Sequence, residues 1–78
     1  MENLRAIEEI LNQTKKIEEN NWNTTQYLNS IDMLLASNDL ARSQDEELSS
    51  QFSRLHDKVE DINQLTEQLI SHLSSKHN

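Results

Sequence analysis

Residues 48–73 read LSSQFSRLHDKVEDINQLTEQLISHL. Within them Leu48, Phe52, Leu55, Val59, Ile62, Thr66, Leu69 and Leu73 fall alternately four and three residues apart. That spacing is the heptad seam of a helix that packs along another helix. Thr66 is the one polar member. Leu65 and Ile70 flank the seam and widen it, and a wide apolar face suits a helix with two or more neighbours. Ser43 and Glu46 form a capping-box pair ahead of Leu48, while His72, Lys76 and His77 put actual or potential positive charge at the helix's negative pole. The pattern predicts one long helix over 44–75.

Toward the N-terminus, residues 2–19 carry Leu4, Ile7, Ile10, Leu11, Thr14 and Ile17 on one stripe, with Glu2, Arg5, Glu8, Glu9, Lys15, Lys16, Glu18 and Glu19 on the other side. This is the pattern of an amphipathic helix. Asn20-Asn21-Trp22-Asn23-Thr24-Thr25 follows. Asn and Thr are weak helix formers because their side chains compete for backbone hydrogen bonds or lose rotamer freedom. Asn23 with Gln26 is a passable capping box for a new helix. A second stripe, Tyr27, Leu28, Ile31, Leu34 and Leu35, runs from about 25 to 37, rotated from the first if the helix is continuous. The expectation is a break at 20–25, with Trp22 partly shielded at one end of the assembly. Met33 lies off the stripe. Residues 37–43 read equally as loop or helix.

The fold class that follows is all-α: a single domain over 1–78, either a helical hairpin or a three-helix arrangement, with a long C-terminal coiled-coil helix. Composition agrees. The 78 residues contain no glycine, proline or cysteine, so the usual punctuation of turns and strands is missing. Only 33% of residues are hydrophobic and three are aromatic. A chain of this size buries about 60% of its unfolded surface and is marginal alone. No disulfide is available to staple it. Partner helices are the expected source of the missing core.

The formal net charge is −7, from 14 acidic and 7 basic residues. That argues against nucleic acid and anionic membranes as natural targets, since both need clustered Lys and Arg. No run approaches the 18 apolar residues of a membrane span, so no direct membrane insertion is expected. Glu2, Glu8, Glu9, Glu18 and Glu19 are wrong for a secretion signal. These features point to an intracellular, cytoplasmic protein, with the nucleus left open.

Chemistry is poorly supported. Catalysis needs a concave, water-restricted site, and a thin bundle without glycine-rich loops or thiols offers no way to build one. His56 and Glu60 share a helix face and could bridge a metal, but at a solvent-facing flank. No catalytic, cofactor-binding or metal residue is assigned, and no small-molecule substrate is expected. The candidate partner-binding residues are Leu48, Phe52, Leu55, Val59, Ile62, Leu65, Leu69 and Leu73 on the seam, with Trp22 and Tyr27 as aromatic anchors. The expected function is a non-enzymatic protein–protein interaction subunit that assembles by coiled-coil packing into a larger complex, with hetero-oligomers ahead of homo-oligomers. The alternative is a small helical chaperone or inhibitor that holds an amphipathic helix of one client.

Overall fold

A computed structural model describes residues 3–38 and 46–77. Two helices account for nearly all of them: α1, Leu4–Ser37, and α2, Glu46–His77. They pack against each other as an antiparallel hairpin about 59 Å long. Among the described residues there is no strand.

α1 begins where the Asn3 side chain accepts a hydrogen bond from the Ala6 amide at 3.1 Å, an N-cap that satisfies one orphan donor of the first turn. It ends at Asn38, whose backbone N–H and side-chain amide both donate to the Leu34 carbonyl, at 3.1 and 2.8 Å. α2 has Glu46 and Glu47 in its first turn and Lys76 and His77 in its last, each matched to the helix dipole. The expected capping residue Ser43, and most of the ambiguous 37–43 stretch, lie outside the described residues.

The expected break at 20–25 is absent. α1 runs through it unbroken, so the helices expected at 2–19 and 25–37 are one. Two causes are visible. The Thr24 and Thr25 hydroxyls donate to the carbonyls of Asn20 and Asn21, one turn back, at 3.0 Å each; side chains that could compete with the helix instead bond within it. The apparent rotation between the two stripes also disappears when residues are counted in heptads. Thr14 and Leu28 are fourteen residues apart, as are Ile17 and Ile31. A repeat of 3.5 residues keeps each pair in one column when the helix supercoils, whereas an ideal 3.6-residue helix drifts about 20° per heptad.

Two cross-helix hydrogen bonds fix the register. Asn21 Nδ2 donates to Thr66 Oγ1 at 2.9 Å, and Asn63 Nδ2 donates to Thr25 Oγ1 at 3.2 Å. Stepping by heptads from the first places Thr14 opposite Leu73, Leu28 opposite Val59, and Leu35 opposite Phe52. All of these are buried except Phe52, which is half-buried. The apolar core is therefore a single file of Leu11, Leu28, Leu35, Val59 and Leu73, and no described side chain is fully enclosed.

Candidate functional surface

Of the seam that the leucine spacing picks out on α2, alternate members face α1. In heptad notation the d column of α1 is Ile7, Thr14, Asn21, Leu28 and Leu35, and that of α2 is Phe52, Val59, Thr66 and Leu73. These columns supply most of the buried positions. The neighbouring a columns are largely polar: Leu11, Glu18, Thr25 and Asp32 on α1; Ser49, His56, Asn63, Ile70 and His77 on α2. The g columns, Ile10, Ile17, Thr24 and Ile31 on α1 and Leu48, Leu55, Ile62, Leu69 and the terminal Lys76 on α2, are the mainly apolar ones. They stand outside the contact.

Each helix therefore has its greasiest stripe centred between d and g, while hairpin packing consumes only the d edge. The eight-residue seam of α2 splits cleanly. Val59, Thr66 and Leu73 are buried and Phe52 is half-buried; Leu48, Leu55, Ile62 and Leu69 remain 37–52% exposed. Leu65, in the adjoining c column, is exposed as well.

Antiparallel pairing decides where these columns end up. A two-fold relation between antiparallel helices keeps like positions on the same side of the seam. The structure shows this directly on the e side: Trp22 and Glu67, e positions of α1 and α2, line one open recess with Glu18, Asn21, Gln26 and Asn63. The two g columns consequently share the opposite side. Together with the c columns they form one broad face. Ten of the thirteen exposed large hydrophobic residues lie on it: Ile10, Ile17, Ile31, Leu48, Leu55, Ile62 and Leu69 in g, and Tyr27, Leu34 and Leu65 in c. A single exposed leucine needs no account, but a contiguous patch on this scale does.

Charge divides along the same line. The eleven acidic residues within the described segments occupy a, b, e and f positions only, from Glu8 and Glu9 through Glu18, Glu19 and Asp32 to Glu67. None falls in c, d or g. The apolar face carries Lys58, His72 and Lys76 at its margin. The hairpin is thus strongly acidic on one side and free of acid on the other.

Of the sequence-derived anchors, Tyr27 belongs to this face and Trp22 does not. Trp22 is 63% exposed on the acidic side, mid-helix rather than at a corner. Its emission is expected to be red and readily quenched by acrylamide in the folded chain; a blue-shifted, protected tryptophan would show that α1 is broken or that the acidic side is itself covered. The g-column isoleucines of α1, Ile10, Ile17 and Ile31, were not among the candidate partner-binding residues, although their spacing of seven and fourteen residues was available in the sequence.

A polar layer interrupts the core at mid-height. Besides the two cross-helix bonds, Thr66 Oγ1 donates to the Ile62 carbonyl at 2.7 Å, and Asn63 Oδ1 is buried with no hydrogen-bond partner in the hairpin. His56 is half-buried against the Phe52 ring, with centroids 6.3 Å apart, and its Nε2 lies 3.9 Å from Glu60 Oε1. At the open end His77 Nε2 lies 3.7 Å from Glu8 Oε2. Neither pair gathers a third His, Cys, Asp or Glu into a possible metal-binding group among the described residues.

No described helix is long and apolar enough to cross a membrane. The chain matches no protein-family model, no curated protein and no solved structure.

Proposed function

We propose that the chain is a non-enzymatic interaction subunit, which assembles with other helices in a larger protein complex through its c/g face. The observation that supports this reading is the mismatch between the apolar stripes and the hairpin seam. Each helix carries more apolar surface than its partner covers, and the surplus is gathered on one side with no acid near it. Such a face is what a helical hairpin presents when it is half of a thicker bundle. The cytoplasm is the compartment in keeping with this role, and the subunit works without cofactor or small-molecule substrate.

The test is affinity purification of the tagged chain from its native cells, comparing wild type with Ile62→Asp and Glu60→Asp. Ile62 lies on the face and Glu60 on the acidic side. The expected outcome is a set of copies or partners in fixed stoichiometry, lost with Ile62→Asp and kept with Glu60→Asp. Equal recovery with both variants would sink the reading. A single client that is absent from the mature assembly would favour the chaperone role instead.

A further inference from the structure

The face described above has one occupant that its chemistry fits better than any other. We infer that a second copy of this chain covers it, giving a two-fold, four-helix bundle. This rests on the reading of the chain as an interaction subunit and names its first partner.

Charge is the leading argument. A chain with a net charge of −7 repels its own kind unless the contacting surfaces are free of acid. Here every acid of the described residues is on the other side of the hairpin. A basic partner helix would be met by a rim of carboxylates around the apolar groove, as electrostatic complementarity requires. The rim here is Gln13, Asn20, Gln51, Lys58 and His72, with Lys76 at the open end. It offers a basic helix nothing and, with so few basic groups, leaves an identical face little to repel it. Stacked face to face, two copies turn both acidic sides outward to water and keep them a full bundle apart, beyond the reach of screened repulsion at physiological salt.

Area agrees. Two helices about 10 Å apart and each about 10 Å across offer a strip about 20 Å wide, which over the overlapping part of a hairpin 59 Å long comes to about 900 Å² per copy. That is close to the roughly 800 Å² per partner of a standard stable interface.

The layer pattern is also self-complementary. Thr24, near the middle of α1, is the polar member of that helix's g column. On the connection side of it stand Ile31, Leu48 and Leu55, with Ile62 close to its own level; on the open side stand Ile10, Ile17 and Leu69. A two-fold stack about this level brings the apolar g residues of one end opposite those of the other.

Sedimentation equilibrium and thermal unfolding of the purified full chain across the micromolar range test this. The expected result is twice the 9.1 kDa chain mass, with an unfolding midpoint that rises with concentration. Ile31→Glu and Ile62→Glu each weaken self-association by about 100-fold or more, as for a hot-spot residue replaced by a charge, while Glu60→Lys leaves it unchanged. A wild-type mass of three or more chains overturns the inference. So does a dimer that survives both face substitutions, or one lost equally with Glu60→Lys. A single-chain mass also overturns it, and the melt then says what else fails. A cooperative melt independent of concentration would mean that the hairpin stands alone, and the interaction-subunit reading falls too. A weakly helical, non-cooperative chain would mean that a different helix fills the face, and that reading survives.

Discussion

Replacing Leu28 by Asp abolishes the cooperative unfolding transition and removes most of the helical circular dichroism signal. Leu28 is the least exposed apolar residue described, at 4%, and the register sets it opposite Val59 in the narrow file that joins α1 to α2. A carboxylate there has no cation within the seam and must be buried unpaired or force the helices apart, either of which costs several kcal/mol. Even Leu28→Ala removes about 2–3 kcal/mol, at the lower end of the range for leucine because a two-helix site collapses easily onto a smaller side chain. A small domain holds only about 5–15 kcal/mol in total, and this one has five buried apolar side chains among the described residues from which to draw it. The matched control is Met33→Asp, on the same helix at 72% exposure. Its melt is expected to stay within experimental spread of wild type. Superimposable melts for the two variants would mean that α1 and α2 do not meet along this column.

Removing the polar layer has the opposite sign. The paired substitution Asn21→Leu with Thr66→Val deletes both partners of the 2.9 Å cross-helix bond and fills their places with apolar bulk. Exchanging a satisfied buried polar pair for well-packed hydrophobic residues stabilises by about 1–3 kcal/mol, which in a domain of this size raises the melting midpoint by about 5–15 °C. The gain comes with a loss of definition. Asn21 and Thr66 bond in one register only, whereas leucine and valine pack in several. The double variant is therefore expected to melt higher yet to sediment as a mixture of assemblies. Either single variant leaves a polar side chain facing an apolar one and should gain less. A lower melting midpoint for the double variant than for both singles would show that the layer contributes net stability rather than register.

The all-α hairpin was legible because the heptad spacing of residues 48–73 and the absence of glycine and proline leave few other folds. What misled was local chemistry at Asn20–Thr25. Propensity and a capping pair argued for a turn there, yet Thr24 and Thr25 bond back into the helix while Asn21 reaches across to Thr66. Tertiary partners decided the matter, as they often do for residues of middling propensity. The contact seam was half legible. Phe52, Val59, Thr66 and Leu73 were placed on it and do face α1. Leu55, Ile62 and Leu69 were placed beside them because an apolar stripe does not say which of its edges the nearest helix takes. That choice depends on how α1 and α2 lean together, and the polar a-column residues Thr25 and Asn63, which bond across the seam, enter it as much as the leucines do.

The single-file core also bears on how long the chain survives in a cell. None of its described side chains is fully enclosed, and each opening of so thin a core offers two long, unprotected segments to proteases. Assembly closes that route by mass action, because any species that binds only the folded hairpin withdraws it from the open pool. If the hairpin assembles as proposed, copies made in excess of their partners would be the ones degraded, and the steady-state amount would follow the supply of binding sites rather than the rate of synthesis. Stoichiometry would be kept by turnover, with no dedicated regulator.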